Sequence, residues 1–224
     1  MVQLYHDNRP SRIESYVAYG LFDETILRLY KEDLALITLA QNAQLRLEQR
    51  ERTPLSQQGN WVAEQILYIA GETPKLVRAQ LTKQRAIAMT KAHMYTGEGR
   101  GRKEHPLSPS EVERLLTNAV DFPKSSTIIP FNRFSSDPLT VYAFGAQRAQ
   151  LYGEFLGETT RPDPSGAPCP GMPIYVLRKE LVNRYAAPFL RQVWFYALGN
   201  DKSALGGERR LSDGGRSRAV RAFD

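Results

Sequence analysis

Residues 74–95 read PKLVRAQLTKQRAIAMTKAHMY, and how this stretch folds decides both the architecture and the candidate site. Thr73-Pro74 precedes it, with proline suited to the first turn of a helix, and Gly97 follows it as a stop. Projected at about 100° per residue, the apolar side chains Leu76, Val77, Leu81, Ile87, Ala88, Met94 and Tyr95 share one side. Lys75, Arg78, Lys83 and Arg85 fall on the other, with His93; Lys91 projects onto the apolar side, where its stem can snorkel outward. The spacing predicts one helix, greasy on one half and cationic on the other.

The flanking sequence extends the helical reading. Residues 21–30 (LFDETILRLY) and 34–47 carry apolar residues at helical spacing, and Thr53-Pro54 interrupts them. Ser56 can cap a helix covering Trp61, Val62, Ile66, Leu67 and Ile69 and ending at Gly71. After a Gly-rich, Pro-containing loop at 97–109, Ser108-Pro109-Ser110-Glu111 has the spacing of a capping box and announces another helix. From Thr127 the character changes: 127–129 and 139–144 are β-branched and aromatic and predict short strands, and 146–155 returns to helix. Five prolines rule out a regular element over 160–173, and Pro188 divides the last hydrophobic stretch, 174–198. The remainder is polar and glycine-rich, with too little apolar area to fold alone. The expected fold class is therefore mainly α: a helical domain over residues 1–125, a small mixed α/β segment with a Pro-rich excursion over 126–200, and an extended C-terminal arm over 201–224.

Charge supplies the functional reading. The chain of 224 residues carries a net +6, but residues 75–103 alone carry +7 and the other 195 sum to −1. A local excess of this kind makes a patch that can collect phosphates, and Arg100, Arg102 and Lys103 in the following loop extend it. The candidate nucleic-acid-binding residues are accordingly Lys75, Arg78, Lys83, Arg85, Arg100, Arg102 and Lys103.

Catalytic and metal chemistry lack a signature. The three histidines, His6, His93 and His105, share no ligand spacing, and the glycines of 97–101 match neither a dinucleotide nor a phosphate-loop fingerprint. No Gly-x-Ser-x-Gly elbow occurs, and Cys169, the single cysteine, lies between two prolines and excludes an internal disulfide. The aromatic series from Phe131 to Phe155 fits core packing with fewer assumptions than base stacking. The expectation is a non-enzymatic, cytoplasmic, basic subunit of a larger hetero- or homo-oligomeric assembly, without cofactor, metal or membrane contact. It would hold an RNA or DNA backbone without sequence specificity and contact other protein subunits. The alternative is a structural connector of a multi-subunit particle that reaches its neighbours through loop and tail.

Overall fold

The computed structural model describes residues 2–8, 11–49, 59–79, 81–93, 104–159, 170–196, 203–208, 211 and 215–221. In chain order, β1 (Leu4–Asp7), β2 (Ser15–Gly20), α1 (Phe22–Tyr30), β3 (Leu34–Leu36) and α2 (Leu39–Gln49) lead to β4 (Asn60–Tyr68) and β5 (Lys75–Val77). Next come α3 (Lys83–His93), α4 (Pro109–Leu116), β6 (Val120–Asp121), β7 (Thr127–Pro130), α5 (Pro138–Phe144) and α6 (Ala146–Thr159). The chain closes with β8 (Gly171–Tyr175), α7 (Lys179–Val182), β9 (Phe189–Phe195), β10 (Leu205–Gly206) and β11 (Gly215–Arg221). All eleven strands among the described residues belong to one sheet, ordered β1-β2-β11-β4-β9-β10-β8-β7, with β3 on β11, β5 on β4 and β6 on β5. The expected mainly α architecture is thus overturned: the fold is mixed α/β.

Three misread stretches account for the difference, and each has a physical cause. β4 occupies the stretch for which the spacing predicts a helix ending at Gly71. It is a central strand covered on both faces, so Val62, Ile66 and Tyr68 enter one core while Trp61 and Leu67 enter the other. A strand buried on both sides shows no polar alternation, and its apolar run is indistinguishable by period from a buried helix. Residues 74–95 split rather than forming one helix: Leu76 and Val77 are fully buried in β5 between β4 and β6, and only Lys83–His93 is helical. Conversely, the β-branched stretch 139–144 is helical as α5. Asp137 caps it by accepting from Leu139 N (3.0 Å) and Thr140 N (3.1 Å), with Pro138 in the first turn.

The expected C-terminal arm is the most consequential correction. β11 lies inside the sheet, antiparallel to β2 from Gly215↔Gly20 to Val220↔Ser15 and bridged to β4 at Ser217↔Trp61. Its apolar area is too small to fold alone, but β2, β3 and β4 supply the backbone partners and the cover. Ala219 and Val220 are buried on opposite faces, one in each core. Elsewhere the outcome is mixed: the stretch 34–47, read as helical, opens with the strand β3, and β8 begins at Gly171, inside the Pro-rich stretch read as irregular. α1 and α6 lie at the predicted places, β7 matches the 127–129 strand, and Ser108 and Glu111 form the reciprocal cap of α4.

The helices cover the sheet on both sides. Residues of α2, α5 and α6 pack into one core, with Phe134, Phe144, Tyr152 and Phe195 in mutual ring contact, and residues of α1, α3 and α4 into the other. Between Trp61↔Trp194 and Gln65↔Gln192, β4 bulges so that Val62, Ala63 and Glu64 face Val193 alone. Gln192 satisfies the loosened backbone by donating to the carbonyls of Val62 and Glu64, and it accepts from Gln65 (2.9 Å). The bulge carries Glu64 to the start of α2, where its carboxylate accepts from Leu39 N at 2.9 Å.

Candidate functional site

The four described cations of the expected basic surface are divided among β5, the connection after it and α3, and three of them lie beside carboxylates. Lys75, on β5, pairs with Asp121 on the adjacent β6. Arg78 follows β5: its Nε lies 3.7 Å from the fully buried Glu64, its Nη2 donates to the Tyr142 carbonyl (2.9 Å), and its guanidinium covers the Tyr142 ring at 4.9 Å. Arg85, on α3, pairs with Glu111 of α4. Hydrogen bonds from Ser108 hold that carboxyl below its usual range, assisted by Arg85. Lys83 is exposed and takes part in no ion pair among the described residues. Arg100, Arg102 and Lys103 lie outside the described residues, as does Cys169. Three cations that the sequence aligns on one helical face are therefore spread over a strand, a connection and a helix, each beside a carboxylate from a distant segment.

A different cationic site is assembled by β1, β2 and β11. Register places Tyr5 opposite Val17 and Val17 opposite Arg218, while Tyr19 lies opposite Arg216. Residues directly opposed across strands, and those two apart along one, share a face, so Tyr5, Asp7, Ser15, Val17, Tyr19, Arg216 and Arg218 all belong to the same face. The opposite face carries Leu4, Tyr16, Ala18 and Ala219 into the core beneath α1. The first face opens into a cleft of about 330 Å³ lined by Tyr5, His6, Asp7, Val17, Tyr19, Arg216 and Arg218.

The chemistry of this cleft is that of two desolvated guanidiniums beside two half-exposed rings. Arg216 and Arg218 are 3% and 1% exposed, whereas Tyr5 and Tyr19 are 49% and 46% exposed and meet edge to face at 5.8 Å. Arg218 Nη1 donates to Asp7 Oδ2 and to Ser15 Oγ, both at 2.8 Å, while its buried Nε has no hydrogen-bond partner among the described residues. Burial pushes the Arg218 guanidinium down to about 10; Asp7 opposes this and repulsion from Arg216 and Arg46 adds to it. Burial likewise lowers Arg216, which is hydrogen-bonded by Tyr19. Behind them Arg46, wholly buried on α2, donates to Tyr152 OH (3.2 Å), Ser203 Oγ (3.0 Å) and the Tyr196 carbonyl (2.8 Å), and lies 3.8 Å over the Phe195 ring. At neutral pH Arg216 and Arg218 are cations and outnumber Asp7, the single carboxylate of the lining among the described residues, so the cleft attracts negative charge and cannot shuttle protons through them. His6, on the rim, faces Glu14 at 3.2 Å and Asn8.

One solved structure matches nearly the whole chain: it covers 95% of this chain and 99% of its own, with a TM-score of 0.64 at 16% identity. It is described as "Accommodation of massive sequence variation in Nanoarchaeota by the C-type lectin fold". The fold is C-type-lectin-like. No family model and no curated protein matches the chain. A C-type-lectin-like sheet corrects the helical reading, and the likeness lends no support to nucleic-acid binding. Within the C-type-lectin-like fold, the cleft sits where the first two strands meet the last. Among the described residues, no group of three His, Cys, Asp or Glu could hold a metal ion, and no helix is long and apolar enough to cross a membrane.

None of the cleft residues is among the candidate nucleic-acid-binding residues of the sequence reading. Their signal is the alternation in 216–221, RSRAVR, which puts Arg216 and Arg218 on one face of a strand, matched by Val17 and Tyr19 in SYVAYG. Glycine-rich, charged flanks hide it, because composition alone assigns that segment to a disordered terminus.

Proposed function

We propose that this chain is a non-catalytic recognition module that holds an anionic group of its ligand, a carboxylate or a phosphate, in the β1–β2–β11 cleft. The observation that carries this reading is the pair of buried guanidiniums lining an open cleft together with two half-exposed tyrosines. Arginine forks match carboxylate and phosphate oxygens, and desolvation strengthens the attraction. The volume suits a small ligand or a side chain of a larger one, and the tyrosine faces supply contact area for the apolar part of such a ligand. The similar solved structure is described by the sequence variation its fold accommodates, which fits a scaffold whose binding surface changes while its sheet stays.

The test is calorimetric titration with citrate, inorganic phosphate and an acetylated diglutamate peptide. Saturable binding of at least one is expected, weakened about tenfold by Tyr5→Ala and by Arg216→Gln. Lys83→Glu should leave it unchanged. Binding that ignores Tyr5 and Arg216 and follows Lys83 would return the site to α3, and no binding of any of the three anions would refute the reading.

A further inference from the structure

At the other end of the sheet, β7 is a terminal strand whose only partner among the described residues is β8. Along its free side runs a groove of about 440 Å³ to which all four residues 127–130 contribute. Alternate residues of a strand face opposite sides of the sheet, so four consecutive lining residues mean that the groove follows the backbone edge. The ladder leaves this edge equipped for pairing. Ile128 lies opposite Pro173, which has no N–H, and Phe131 N donates to Pro170 O (3.4 Å), which sets the alternation of bonded and non-bonded pairs. Thr127 and Ile129 therefore bond to β8, and the N–H and C=O of Ile128 point away from it, towards the groove. The Ile128 side chain is itself 46% exposed.

We infer that the β7 edge docks an extended acidic peptide segment of a partner protein, which adds a strand to the sheet. The charge balance of the groove chooses the peptide's chemistry. Its two carboxylates are already engaged, Asp137 by the first amides of α5 and Asp121 by Lys75. Lys124 and Arg133 are exposed and form no ion pair among the described residues. Main-chain bonds give such a complex its affinity, and these two cations give it a preference for acidic side chains. This proposal is independent of the arginine cleft.

A fluorescently labelled octapeptide of alternating valine and glutamate is titrated by anisotropy against the full chain, beside its valine-lysine counterpart and an N-methylated valine-glutamate version. The valine-glutamate peptide is expected to bind saturably, and the lysine and N-methylated peptides about tenfold more weakly or not at all. Ile128→Pro removes the outward N–H without touching a bond to β8, and is expected to weaken binding by a similar factor. The exposed pair Lys124→Glu/Arg133→Glu does the same through charge and decides the matter if the proline variant fails to fold. Tyr5→Ala leaves this binding unchanged. Equal binding of the lysine or N-methylated peptide, indifference to the edge variants, or absence of saturable binding overturns the proposal.

Discussion

Glu64→Gln tests the energetic account of the bulge on β4. The Glu64 carboxyl is wholly buried at the start of α2, and loss of water pushes it from 4.5 up to about 7. The bond from Leu39 N and the nearby Arg78 pull the other way without prevailing. Arg78 is a weak counterion here, because its guanidinium stands 3.7 Å away with half its side chain in solvent, where water screens the attraction. A folded-state value above the unfolded one means that the native chain binds the proton more tightly. The resulting stabilisation is complete below about pH 4.5 and is lost as pH rises through about 7, a change of about 3 kcal/mol. Glutamine keeps an acceptor for Leu39 N and has no charge to desolvate. Against the wild type, Glu64→Gln is therefore expected to be about 1 kcal/mol more stable near pH 5 and about 3 kcal/mol more stable near pH 8.5. Urea denaturation at steps across that range reads the effect as the difference between the two chains, in which titration of the three histidines cancels. A difference that stays flat with pH, or a wild type that gains on the variant as pH rises, would refute the desolvation argument.

Three further outcomes follow from the packing and the charges. Asp7→Ala strands the Arg218 guanidinium in the sheet and is expected to cost about 3–5 kcal/mol in chemical denaturation, much of it recovered by adding Arg218→Met; equal losses in the single and double variants would contradict the pairing. Gly153→Ala on α6 puts a methyl group 2.7 Å from the Phe131 carbonyl and 2.8 Å from Phe134 Cβ. Although alanine is the better helix former, a net loss of about 1–3 kcal/mol is expected in thermal melts, and a raised Tm would show that the contact yields freely. Ser108→Ala removes one half of the cap on α4 and should cost about 1 kcal/mol, whereas an unchanged denaturation midpoint would mean that the cap contributes nothing.

What the sequence determined by itself is the set of features whose physics is local. The cap at Ser108 and Glu111 depends on a few adjacent residues, and it stands where the spacing places it. α1 and α6 follow from amphipathic periodicity within one segment, and β7 from its β-branched run. Tertiary structure alone decided whatever required a partner from far along the chain. Trp61 to Tyr68 is a strand because β9 and β11 flank it and both faces are covered, conditions that no window of the sequence contains. The final segment folds because β2, 195 or more residues earlier, supplies its hydrogen bonds and its cover. Charge is subject to the same limit. A run of cations predicts a basic surface only if it stays free of acids, yet Asp121, Glu64 and Glu111 reach Lys75, Arg78 and Arg85 from other elements. Arg216 and Arg218 line a cleft because sheet register set two arginines of the last strand beside tyrosines of the first two, and register between distant strands is a property of the assembled fold.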